Sequence, residues 1–149
     1  MNTDRIEKTV TLSAPRSRVW RALARPEEFG AWFGMALRGD FTPGAHVTGS
    51  LSAHGNENVT LEITVEQVEI ERLLSYRWHP YAIDPDVDLS NEPTTLVEFH
   101  LADADEGTRL TVIESGFDQI PVQRRATAFR MNDQGWTAQM DNIARYVTP

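Results

Sequence analysis

Four histidines, an acidic D-P-D-V-D run and a serine set between an acid and a glycine are the first residues to test for chemistry. Asp84, Asp86 and Asp88 imitate the start of a calcium loop. The sixth position is Leu89, where that loop needs glycine, and the twelfth is Thr95, where it needs glutamate, so the run reads as a solvated acidic loop. Ser115 in "ESGF", residues 114–117, lacks the G-x-S-x-G frame of a nucleophile elbow and reads as ordinary strand-end chemistry. His46, His54, His79 and His100 have no metal-ligand spacing. Alternation sends His79 and His100 to the solvent face of their strands, although Pro80 beside His79 can break that pattern. No metal and no cofactor is expected.

A more informative set of polar residues lies inside an apolar stripe. From about Pro121 to Val147 the chain reads as one helix, about 40 Å long. At about 100° per residue, Val122, Phe129, Trp136, Met140, Ile143 and Val147 share a narrow arc. Arg125, Asn132 and Asp133 fall in the same arc. They can snorkel at its edge, pair with one another, or enter a cavity and orient a ligand. Asn132 and Asp133 stand one turn from both Phe129 and Trp136. Gly135, on the flank of the stripe with Ala128, costs about 1 kcal/mol against alanine. It is expected to let another backbone approach, either a short helix or the 80–93 loop.

These residues need a frame. Residues 5–12 alternate, with Ile6, Val10 and Leu12 on one face, as in a half-buried strand. "SAPRSRVWRALA" reads as a helix with Pro15 near its start, and a second short helix opens at Pro26, where Glu27 and Glu28 suit the positive end of the helix dipole. From residue 36 the texture is strand and turn. "TPG" at 42–44 is a turn, 46–53 a short strand, and Val59, Leu61, Ile63 and Val65 share one face of the next. Leu74, Tyr76 and Trp78 lie together, and Val97, Phe99 and Leu101 follow after the 80–93 loop. "DADEG" is a hairpin turn leading to "TRLTVIES". The order is α+β: a strand, two short helices, a curved antiparallel sheet of six or seven strands in all, and a long C-terminal helix to cover the sheet's apolar face. A curved sheet gripping a helix leaves a gap, which is a natural ligand cavity.

The 149 residues read as a single domain, 1–149. The net charge of −8 argues against nucleic acid and anionic membrane as partners. Residues 121–149 hold four arginines against two aspartates and are the one relatively cationic segment. There are no cysteines, so there are no disulfides and no thiol chemistry. The N-terminus lacks a hydrophobic leader and no apolar run reaches membrane length, so a cytoplasmic location is expected.

"APRSRVWRAL" at 14–23, "PEEFGAWF" at 26–33 and "GW" at 135–136, followed by apolar residues at helical spacing, carry a resemblance. The chain is similar over nearly its whole length to the helix-grip (START/Bet v 1-like) superfamily. Within it, the chain resembles the group named for the C-terminal domain of the Hsp90 ATPase activator. The resemblance implies a hydrophobic cavity under the long helix and binding of lipids, hormones or polyketides, or reactions on them. It does not imply chaperone activation, and the group has no universal catalytic residues to carry over.

Trp32, Tyr76, Trp78, Phe99, Phe117, Phe129 and Trp136 are the expected core or cavity lining, and Asn132, Asp133 and Met140 complete the candidate ligand site. The leading reading is a carrier or sensor for a small hydrophobic or amphipathic ligand, without turnover. The rival is a cyclase- or dehydratase-like enzyme acting on a polyketide-like or aromatic substrate, with Asp133, Arg125, His79 or Tyr76 moving protons. It requires a carboxylate or imidazole with a burial-shifted pKa. A third reading is a chaperone-associated or self-associating module, a homodimer included, although the polar outer face of Glu62, Thr64, Glu66 and Arg77 disfavours a large apolar interface.

Overall fold

The computed structural model describes residues 4–51, 60–80 and 91–148. Val59, His54, the acidic run at 84–88 and the middle of the 80–93 loop lie outside them. The elements are β1 (Arg5–Leu12), α1 (Arg16–Ala24), α2 (Pro26–Phe33), β2 (Met35–Arg38), β3 (His46–Leu51), β4 (Thr60–Glu69), β5 (Leu73–Trp78), β6 (Thr95–Ala104), β7 (Gly107–Ser115) and α3 (Val122–Val147). A 3-10 turn at Phe117–Gln119 joins β7 to α3.

All seven strands form one antiparallel sheet in the order β1-β7-β6-β5-β4-β3-β2. The expected alternation holds where it can be followed. Leu61, Ile63 and Val65 on β4 and Val97, Phe99 and Leu101 on β6 are buried. Past Val65 the pairing of β4 with β5 shifts register at a bulge between Val65 and Gln67. Ser75 is buried there, and its Oγ accepts the Gln67 N–H at 3.2 Å. Without that bond the bulge would leave a backbone donor unpaired.

Helix α2 starts with Pro26 at its first turn and ends where Gly34 takes a left-handed conformation (φ 92°), returning its N–H to the Gly30 carbonyl at 2.8 Å. Phe29, on its buried face, touches Trp32, Phe33, Phe41, Tyr76 and Phe99. Helix α3 buries Ala128, Trp136, Met140, Ile143 and Val147. Val122, expected in its apolar stripe, is instead 75% exposed. The buried residues of α3 begin at Ala128, so the apolar stripe is covered only from there on.

Glu28 ties the three helices together. Its carboxylate accepts from Arg18 Nη1 at 2.7 Å, Arg21 Nε at 3.1 Å and the Tyr146 hydroxyl at 3.2 Å, and the Arg18 guanidinium sits 5.0 Å over the Tyr146 ring. Burial pushes the Glu28 carboxyl up. The hydrogen bonds from Arg18 and Tyr146 and the charges of Arg18 and Arg21 outweigh it, leaving the carboxyl below its ordinary value of 4.5. A depressed folded-state pKa adds stability above the unfolded-state value, and that stability is lost as pH falls through the folded one. Unfolding midpoints in urea should therefore drop on acidification below about pH 4.5. Glu28→Gln should cost roughly 1 kcal/mol at neutral pH and flatten that drop. An unchanged slope in the variant would remove Glu28 as its cause.

Candidate functional site

Among the described residues, the sheet's inner face carries one buried acid beside its apolar residues. On β7, Thr108, Leu110, Val112 and Glu114 alternate inward and are all fully buried. Glu114 pairs with Val97 of β6, so Thr95 lies two residues from its partner on the same face, and Thr95 in turn pairs with Trp78 of β5. Asn132 and Trp136, one turn apart, come down from α3.

These side chains converge on the carboxylate. Trp78 Nε1 donates to Oε2 at 2.8 Å and the Thr95 hydroxyl to the same oxygen at 2.6 Å. Trp136 Nε1 donates to Oε1 at 2.8 Å, and Asn132 Nδ2 reaches both oxygens at 2.9 and 3.1 Å. Each contact has the carboxylate as acceptor, the role an ionised carboxylate fills. The lone pairs of two oxygens are thereby fully used. Glu114 thus links three strands and the long helix, and fixes both indole rings.

The fixed rings form the wall of a cleft. Phe33, Trp78, Met131, Asn132, Gly135, Trp136 and Gln139 line an open space of about 100 Å³. That is small against the roughly 300–1,000 Å³ of ordinary ligand sites. Trp78 and Trp136 stack at 5.9 Å and 28°, and Phe33 meets them edge-on at 6.0 and 5.9 Å. Gln139 Nε2 donates to the Phe33 carbonyl at 2.9 Å and holds the end of α2 against α3.

Gly135 faces this cleft, and a Cβ there would meet nothing within 4 Å. Among the described residues no backbone approaches it, so neither short helix makes the expected contact; residues 81–90 of the loop named as the alternative lie outside them. Its missing side chain leaves space at the mouth instead.

Of the ten candidate site residues, the cleft gathers Trp78, Asn132 and Trp136. Trp32 is buried beneath α1, its Nε1 donating to the Ala22 carbonyl at 2.9 Å. Tyr76 and Phe99 pack in the core around Phe29, and Met140 is buried further along α3. Phe117 and Phe129 pack on each other at 5.1 Å. Asp133 is at the surface, paired with Lys8 at 2.9 Å.

The proton carriers of the rival reading also lie elsewhere. Arg125 donates to the carbonyls of Ile120 and Asp118, and the His79 ring bonds the Glu92 carbonyl. Burial first, and the Glu114 charge second, push the Tyr76 hydroxyl well above its usual value of 10.0, so it stays protonated at neutral pH. Among the described residues, no group of His, Asp or Glu could hold a metal ion, and no helix is long and apolar enough to cross a membrane.

Sequence reasoning missed Phe33, Met131 and Gln139 as lining, and missed Glu114 altogether. A signal for Glu114 existed: it continues the inward parity of Leu110 and Val112.

The family model described as "Activator of Hsp90 ATPase homolog 1-like protein" matches residues 13–148. No curated protein matches the chain. Among solved structures, protein MLL2253 from Mesorhizobium loti has a TM-score of 0.75 at 27% identity over 95% of each chain. Bacillus halodurans protein BH1534 has a TM-score of 0.70 at 25% identity over 96% of each chain. DynU16, from the dynemicin biosynthetic locus, has a TM-score of 0.72 at 27% identity; the match covers 96% of this chain but only 46% of DynU16. The sheet order, the long covering helix and a family match over 13–148 agree, and the chain belongs to the Activator of Hsp90 ATPase homolog 1-like family, on a helix-grip fold.

Proposed function

We propose that this protein binds a small, largely apolar molecule in the cleft between α3, α2 and β5, as a carrier or sensor without turnover. The observation that carries this reading is the saturated carboxylate behind the cleft wall. A general base needs a free lone pair within reach of its proton. Glu114 has none, yet it holds two indole rings rigid at the cleft, which is what a preorganised binding surface needs. The fold family is typically ligand-binding, in keeping with this.

A neutral dye that fluoresces in apolar surroundings, N-phenyl-1-naphthylamine, tests the site. One dye per chain is expected to bind. Gly135→Trp should fill the mouth of the cleft and weaken binding by about tenfold or more. Gly135→Ala, whose Cβ has open space, should stabilise the fold by about 1 kcal/mol, raising Tm by roughly 2–4 °C. Dye binding left intact by Gly135→Trp would put the ligand elsewhere in the molecule.

A further inference from the structure

We propose that the cleft selects for positive charge: its ligand is an aromatic-sized apolar molecule carrying an ammonium group, and carboxylates are rejected. The proposal rests on the binding reading above and adds the chemical class of the ligand.

Glu114 is fully buried, and every one of its partners is a neutral donor. No ion pair reaches it among the described residues. A buried carboxylate without a cation is costly, and neutral hydrogen bonds offset that cost without cancelling the charge. Three of its four partners, Trp78, Asn132 and Trp136, also line the cleft, so the negative charge stands one side chain behind the wall.

The wall offers a cation further contacts. Its aromatic rings, Phe33, Trp78 and Trp136, have π-faces that attract positive charge. Asn132 turns its Nδ2 toward both oxygens of Glu114, which leaves its Oδ1 as an acceptor for an ammonium N–H.

An anion would find the reverse. The two indole N–H groups that would bind it are already committed to Glu114. Among the described residues, no cationic side chain lines the cleft. Lys8 is paired with Asp133, Arg124 with Glu92 and the Pro80 carbonyl, and Arg125 with the carbonyls of Ile120 and Asp118. The net charge of −8 also draws cations toward the surface and repels anions.

Three naphthalenes of one shape test this by displacing the neutral dye at pH 7: 2-naphthylmethylammonium, 2-naphthylmethanol and 2-naphthoate. The ammonium is expected to bind about tenfold or more tighter than the alcohol, and the carboxylate more weakly than the alcohol. In Glu114→Gln, with folding checked by circular dichroism, the three affinities should converge. The wild-type series decides the matter if that variant does not fold. Equal affinities, tightest binding by naphthoate, or no displacement of a dye that does bind would each overturn the charge selectivity and leave the binding reading standing. If the dye itself does not bind, the binding reading falls, and the selectivity with it.

Discussion

Replacing Glu114 with leucine is expected to cost about 3–5 kcal/mol of stability, a fall in Tm of roughly 10–15 °C. Two effects oppose each other. Removing a carboxylate from the interior relieves a desolvation cost of several kcal/mol. The change also strands two indole N–H groups, a hydroxyl and an amide, and each buried donor without a partner costs about 1–3 kcal/mol. Three of these donors cannot turn to water, since Thr95 is fully buried, Trp136 is 3% exposed and Trp78 7%; the half-buried Asn132 amide at the cleft adds less. The stranded donors therefore outweigh the relief. Glu114→Gln keeps the shape and one acceptor oxygen, and should cost about half as much. Thermal unfolding of both variants beside the wild type measures this. A leucine variant melting within about 2 °C of wild type would show that desolvation and hydrogen bonding cancel here.

Phe29→Ala should be comparably severe, about 3–5 kcal/mol. Phe29 has no exposed surface and lies at the centre of the aromatic core. Its ring centroid lies 4.7 Å from Trp32, 5.3 Å from Phe33, 5.5 Å from Phe41, 5.9 Å from Phe99 and 6.4 Å from Tyr76. The void cannot readily close. Trp32 is tied to the Ala22 carbonyl and Phe33 is held from α3 by Gln139. The loss thus combines the transfer term, the residual cavity and several edge-to-face contacts. Phe29→Leu retains most of the volume and should cost about 1.5 kcal/mol. Urea midpoints at constant m-value separate the two. A loss below about 1 kcal/mol for alanine would mean that the neighbours collapse into the space. Because Phe33 stacks on Phe29, the alanine variant should also bind the dye more weakly.

Whether the protein binds or reacts turns on Glu114. A buried acid at a cleft is the usual mark of proton chemistry. This one faces four donors and has no free lone pair, so it positions its rings, and in the proposed function it shapes the site electrostatically. Its charge would then act on a ligand at a distance, through the wall.

The amino-acid sequence by itself determined the elements and their faces. The first strand, the two short helices, the hairpin at 103–107 and the C-terminal helix stand where their periodicity and end signals put them, with the long helix starting at Val122 instead of Pro121. Each such signal is local, written in neighbours two to four residues apart. Tertiary structure alone decided which faces meet. Val122 lies on the apolar arc but is exposed, and Gly135 has open space toward the described residues, where a short helix was one expected neighbour. Trp32 turned beneath α1, Asp133 found Lys8, and only three of the ten candidate residues share the cleft. Glu114 shows the division most plainly. Its inward direction follows from counting by twos along β7. Its partners lie 18, 19, 22 and 36 positions away, and they meet it only through strand register and the line of the long helix across the sheet. Periodicity tells a side chain which way to face, but long-range packing decides what it finds there.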